Sequence, residues 1–530
     1  MVVSGTGMTA QCFNGRKPGK NSGARKSTAM PGAMPRRSAS FSMQARELAS
    51  YGNAPSRGAA GDLCLKRLTP FPSGCPLTQS SFVLKANGLT DTVVRILDQM
   101  AAHGATRFYA KQLAPNDNSK NQVYLGGGFG ALNIIPHGEI EEDGSQIAGA
   151  VRDRAKAPVD FWWMDEQGIS PAPDAQLILY PKYPEVRMSG FLRGAARAPA
   201  PLMRAGVVGG VLVCGVCPDG RVIGHVVGRE TPEAASLTEK LDSLEASGVF
   251  LDLQSLKQKG TSSRQILLDA LRRIHAKGWV PSQKMGKNGV ATPYNARNGG
   301  GYTLEAELGI SPNGYAEPDY QGWEVKQYGV RDFVKYLAKS PVTLMTPEPT
   351  GGVYRDDGVE AFLRRYGYPD KSGKEGRINF GGVYASGRDF HTDTGLKLVL
   401  EGFDPAKGKI TDVDGQIALI DRGDMVAASW GFKGVIGHWN RKHAKAVYVP
   451  SLMRGPPPEY SYGARVELCE GTDVLLLLQA LASGGVYYDP GIKMERADTP
   501  SPAIKRRSQF RVKHSDLYGL YQISNQERLA

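Results

Sequence analysis

The tetrapeptide Trp323-Glu324-Val325-Lys326 constrains this chain more than any other stretch. On a β-strand, successive side chains point to opposite faces, so Trp323 and Val325 share one face while Glu324 and Lys326 share the other. One face needs an apolar core, and the other needs water or a ligand. Pro318 and Asp319 lie just upstream, in a turn region that also holds Gly314 and Gly322. Asp319 can therefore approach Glu324 from an adjoining turn or strand. Two carboxylates brought together repel unless a proton or a cation neutralises them. Oxygen ligands favour a hard divalent ion such as Mg²⁺. A lysine on the same face can contact a metal-bound water or a phosphate oxygen, and the set is equipped to attack a phosphodiester with water. The plainer reading of the same residues is a solvated strand face with an ordinary Glu/Lys pair.

The surrounding chain reads as a soluble, multi-part protein. Its 530 residues are 41% hydrophobic and 22% charged, enough to bury real cores. No run of about 18 apolar residues offers a membrane span, and six cysteines are too few for a disulfide scaffold. Of the net charge of +13, residues 1–60 supply +8, from nine basic residues and Glu47. The remainder is close to neutral for its size, so local basic clusters, rather than the overall charge, must argue for a polyanionic partner. Residues 1–60 are rich in Gly, Ser and Ala and are expected to be disordered. A late start at Met8, Met30, Met34 or Met43 explains them, with an organelle transit peptide as the alternative. The expected location is the cytoplasm of a bacterium or archaeon.

A helical pattern over Thr90–His103 is followed by short strand-like pieces at Arg107–Lys111, Val123–Leu125, Leu132–Ile135, Gln176–Tyr180 and Gly209–Cys214. Turn residues separate them, which predicts a β-rich module over 61–228. Residues 229–261 are charged and helix-favouring and are expected to be a linker. Ser262 or Ser263 then caps a helix with Ile266, Leu267, Ala270, Leu271 and Ile274 on its apolar face, opening a second globular region over 262–530. Cys214 and Cys217 read as buried strand-turn thiols. The Gly126–Gly130 run lacks the following Lys-Ser/Thr of a nucleotide loop.

The run Gly299–Lys326, with Pro318-Asp319 followed four residues later by Glu324-x-Lys326, resembles the MvaI/BcnI type II restriction endonucleases of the PD-(D/E)xK superfamily, whose structural relative is the mismatch-repair nicking enzyme MutH. The resemblance covers roughly 262–525. It implies an α/β domain with a mixed sheet and flanking helices, catalytic over about 262–400 and DNA-reading over about 400–525. It assigns Asp319 and Glu324 as metal ligands and Lys326 as the group that orients water and stabilises transition-state charge. It adds Glu305 from the helical run Thr303–Leu308, where Glu307 points elsewhere. It implies Mg²⁺, with Mn²⁺ able to substitute, and double-stranded DNA as partner. It further implies a short C/G-rich target, 5′-phosphate ends, a monomer cutting one strand at a time, and a cognate methyltransferase. Residues 493–513 carry seven basic and two acidic residues. From that end of the chain, Asp489, Lys493, Arg507 and Arg511 are expected at DNA, since Arg suits guanine and Asp suits cytosine N4. The cluster Gly437–Lys445 adds Arg441, Lys442 and His443.

The front half, over Arg107–Pro136, resembles the N-terminal DNA-binding effector domain of EcoRII, a pseudobarrel. That likeness would place Lys111, Asn116, Asp117 and Gln122 at a DNA-facing surface. Two alternatives to a double-strand restriction enzyme stand: a MutH-like nicking enzyme and a DNA-binding regulator with a vestigial nuclease fold.

Overall fold

The structure is a computed structural model. It describes residues 92–530 apart from 114–121, 148–149, 152–153, 204–209, 242, 258–261, 287, 297 and 311–317. Residues 1–60, Asn116 and Asp117 thus lie outside the described residues.

The front half opens with a helix over 92–102, on which Val93, Ile96, Leu97 and Met100 are buried. Two sheets follow. The larger runs Ala246–Ser247, Phe250–Asp252, Arg107–Gln112, Val211–Val216, Val222–Val227, Phe161–Asp165, Gly168–Ala172. The smaller has five strands, ordered Gln122–Gly127, Glu185–Ser189, Gln176–Tyr180, Ala155–Pro158, Glu141–Glu142. Val211–Val216 is buried at every position. It sits mid-sheet between Arg107–Gln112 and Val222–Val227, and a strand covered on both faces needs such a continuous apolar run. Cys214 on it, and Cys217 just beyond, are buried free thiols.

One expectation fails here. Leu132–Ile135 is not a strand: Gly130–Asn133 forms one 3₁₀ turn, with Ala131, Leu132 and Asn133 buried. The described residues of 229–261, expected as a linker, carry regular structure packed on the front half. Pro232–Leu241 is a helix, and Phe250–Asp252 pairs antiparallel with Arg107–Gln112. Buried Ala234, Leu237, Phe250 and Leu253 anchor the segment. Four apolar residues spread through a charged stretch suffice to fold it onto the sheet, and composition averaged over the window conceals them.

The helix Ser263–Ala276 begins the second half, with the Ser262 side chain accepting a hydrogen bond from the Gln265 amide. Its buried face is Leu267, Leu268, Ala270, Leu271 and Ile274; Ile266 is half-exposed. It packs on a sheet built around Lys445–Arg454, which is buried over its first seven residues. That strand pairs antiparallel with Arg465–Glu470 and Glu459–Tyr462, and parallel with Glu324–Gly329. Five smaller sheets among the described residues complete this half, which is therefore mixed α/β. They include Val342–Met345 with Phe510–Val512 and Val486–Tyr488, and a four-stranded sheet holding Arg377–Gly381 and Gly491–Glu495.

The two halves are not separate bodies: all described residues fall in one compact unit. The 3₁₀ turn of the front half seats on the helix Phe432–His443. The Phe129 amide donates to Asp473 Oδ2 at 2.6 Å, Asn133 Nδ2 donates to the Thr472 carbonyl at 3.0 Å, and Asn440 Nδ2 donates to the Phe129 carbonyl at 3.3 Å. Gly128 has φ +84°, and a Cβ there would lie 2.7 Å from Asp473 Oδ2, so only glycine fits this approach.

Candidate active site

The tight turn Tyr320-Gln321-Gly322-Trp323 builds the site. Tyr320 and Trp323 exchange backbone hydrogen bonds of 2.9 and 2.8 Å. Gln321 and Gly322 both have positive φ, 51° and 83°, as the two central residues of a type I′ turn require. A two-residue turn sets the next pair outward, Asp319 and Glu324, across from each other. Asp319 Oδ2 accepts a hydrogen bond from the Val325 amide at 3.0 Å. Trp323 is fully buried and anchors the turn, with its indole N–H 3.4 Å from Ser263 Oγ. Strand alternation then puts Lys326 on the side of Glu324, and Nζ meets Glu324 Oε1 at 2.5 Å.

Glu305 reaches the same place from the helix Gly299–Glu307. Glu307 turns away, to Lys277 Nζ at 2.5 Å and Gln283 Nε2 at 2.7 Å. Gly309, at φ +74°, lies just past that helix. Glu305, Asp319, Glu324 and Lys326 line one cavity of about 820 Å³.

The charges in this cavity are coupled. Burial pushes the Asp319 carboxyl up to about 7, aided by the negative charges of Glu324 and Glu305 and opposed by the Val325 amide and Lys326. Burial works against the Lys326 ammonium, but Glu324, Asp319 and Glu305 outweigh it and hold its pKa above the ordinary value. Among the described residues, no group of three His, Cys, Asp or Glu is set as a ligand cage. The donor chemistry still suits a hard cation, because carboxylate oxygens converge in one cavity.

The other expected residues divide. Arg511 lines the same cavity, but its guanidinium is held by Asp489 Oδ2 at 2.7 Å and the Pro341 carbonyl at 2.6 Å. Asp489 and Arg511 thus pair with each other. Lys493 lies 3.3 Å from Glu495. Arg507 is exposed. Arg441 and Lys442 fall in the last turn of Phe432–His443.

Three basic residues depart from the expected DNA-facing placement. His443 is buried and stacks on Trp439 at 4.1 Å, with Nδ1 and Nε2 each 3.2 Å from a backbone carbonyl. Burial and the nearby Lys326 charge push its pKa down to about 4, so it is neutral. Lys111 is buried, with Nζ on the Gln112 carbonyl at 3.0 Å. Lys445, which ends the sequence cluster, is enclosed by carboxylates. Gln122 is half-buried, opposite Ser189 at the start of its strand. Lys339, which no expected cluster contained, and His438, inside the cluster Gly437–Lys445 but not singled out there, also line the cavity. Neither carries a motif, and only the fold brings them there.

Carboxylates that converge beside a lysine at the end of a mixed sheet could hold a hard cation next to a phosphate group. Residues 268–521 match the MvaI/BcnI restriction endonuclease family. That match lies in the C-terminal part of the chain and covers just under half of it. Among solved structures, the chain is similar to a complex of restriction endonuclease MvaI with cognate DNA substrate, at 16% identity over 50% of this chain and 97% of that one, with a TM-score of 0.36. It is likewise similar to MvaI in the absence of DNA, at 16% identity and the same coverage, with a TM-score of 0.28. No curated protein matches the chain. No helix among the described residues is long and apolar enough to cross a membrane.

Proposed function

We propose that this chain is a site-specific endonuclease that hydrolyses double-stranded DNA with Mg²⁺, or Mn²⁺ in its place, at a short C/G-rich sequence. One observation carries the reading: within the family-matched region, a two-residue turn sets Asp319 across from Glu324, with Lys326 on the same face of an open cavity.

Asp319 and Glu324, with Glu305 beside them, would hold the metal ion. When bound, that ion supplies positive charge against the scissile phosphate and lowers the pKa of water. Lys326 orients the attacking water and donates to the non-bridging phosphate oxygens as charge builds on them. Water oxygen bonds to phosphorus, the bond to the 3′ oxygen breaks, and the 5′ side keeps the phosphate. Arg507, Arg511, Asp489 and Lys493, with Arg441 and Lys442, supply DNA contacts. Reading a base with Asp489 or Arg511 requires opening their mutual ion pair, so target recognition and local rearrangement are linked. The front half is a DNA-binding effector module on this reading, and a methyltransferase acting on the same site is the expected companion of a monomeric enzyme.

Digesting a plasmid of known sequence with Mg²⁺ and mapping the ends tests the proposal. Discrete double-strand cuts at one short sequence are expected, and single-strand nicks alone would favour the MutH-like alternative. Asp319→Ala should abolish cleavage while DNA binding, measured by mobility shift, stays within a few-fold. Undiminished cutting by that variant would refute the site.

A further inference from the structure

The back of the turn that carries Asp319 and Glu324 faces the front half of the molecule. Lys445 begins the strand parallel to Glu324–Gly329, and its neighbour Ala446 sits in register with Glu324. Its side chain is buried. The ammonium lies 3.2 Å from Glu245, 3.7 Å from Asp252 and 3.6 Å from Glu470. It also lies 5.6 Å from the centre of the Trp323 ring, the residue that closes the turn and precedes Glu324. Glu470 belongs to the nuclease half, whereas Glu245 and Asp252 belong to the front half. The Asp252 amide donates to the Glu245 carbonyl at 2.8 Å, which ties the two backbone segments together. Asp252 itself is on the strand that pairs with Arg107–Gln112.

A second observation points the same way. A cavity of about 260 Å³ separates the halves here, lined by Arg107 and Asp252 on one side and by Pro318, Gln321, Gly322 and Lys445 on the other. The turn therefore has the front half directly behind it. A buried cation held by three carboxylates has one preferred position, because moving it leaves charges uncompensated in a poorly solvated site. That fixed ammonium against the indole face fixes Trp323.

We propose that Lys445, gripped by Glu245 and Asp252 of the front half, is a positioning residue for DNA cleavage: it holds Trp323 and so sets the turn that keeps Asp319 across from Glu324. This rests on the active-site reading above and goes beyond it, since it makes the front half part of the cleavage apparatus. The two carboxylates affect the rate of the chemical step and not the grip on DNA.

The test uses the full chain. Glu245→Gln and Asp252→Asn, singly and together, are compared with wild type in single-turnover cleavage at saturating DNA and in DNA affinity measured without divalent metal. The folded fraction at the assay temperature is followed by near-ultraviolet circular dichroism. The double variant should cleave at least tenfold more slowly per folded molecule, with DNA affinity within twofold of wild type. Lys445→Arg should retain more cleavage than Lys445→Met. A double variant that cleaves within twofold of wild type overturns the proposal. So does a slower rate explained wholly by unfolded protein or by weaker DNA binding. Asp319→Ala, run alongside, separates the two levels: if it still cuts, the active site itself is misassigned, and if it is dead while the double variant is unaffected, only the positioning role falls.

Discussion

At the scale of single residues, the Asp319 carboxyl is the most informative group. In the folded, metal-free chain its pKa is raised from 3.8 to about 7 by burial and by Glu324 and Glu305. The folded state therefore keeps a proton that the unfolded state releases near pH 4. The stability linked to this group is complete below about pH 4 and is lost as the pH climbs through 7. Asp319→Asn removes that dependence while keeping an acceptor for the Val325 amide. In EDTA, the Asn variant should melt a few degrees above wild type at pH 8, and the gap should narrow by pH 5. A constant gap would mean that Asp319 is ionised throughout. Adding Mg²⁺ should raise the melting temperature of wild type more at pH 8 than at pH 6, because the metal binds the deprotonated site. The same addition should leave the Asn variant nearly unmoved.

At the scale of elements, the turn Gln321-Gly322 governs the site. Asn-Gly is the preferred pair where both central residues need positive φ, so Gln321→Asn should preserve cleavage and raise the denaturant midpoint. Gly322→Ala has space for its methyl group, the nearest atom being Arg107 Cδ at 3.9 Å, yet it forces a side chain into a left-handed backbone. A loss of about 1 kcal/mol in urea unfolding is expected, together with slower cleavage. Equal stability of the two variants would show that the turn is not held as described. This element was legible in the sequence, because an alternating strand, a glycine and a carboxylate lie within eight residues. The helix Ser263–Ala276 was legible for the same reason: its serine cap and apolar spacing are local. The strand at Phe250–Asp252 was not, since besides its short local partner Ala246–Ser247 it is held by Tyr109 and Ala110, far earlier in the chain.

At the scale of the whole molecule, the two halves share one apolar core, which runs from Tyr109 and Phe129 through Trp430 and Leu520. Buried hydrogen bonds from Phe129 and Asn133 to Asp473 and Thr472 tie them further. The full chain should therefore unfold in one calorimetric transition rather than two, and two well-separated transitions would refute the shared core. Sequence by itself determined which side chains meet in the candidate site, because Asp319, Glu324 and Lys326 are brought together by one turn and one strand. It did not determine what the basic residues face. Lysine and histidine look alike in a sequence whether they meet a phosphate or a buried carboxylate, and the partners of Lys445 lie up to 200 residues away. Tertiary structure alone decided that Lys111, His443 and Lys445 turn inward, because only the folded chain fixes which charges are shut away from water and must be answered there.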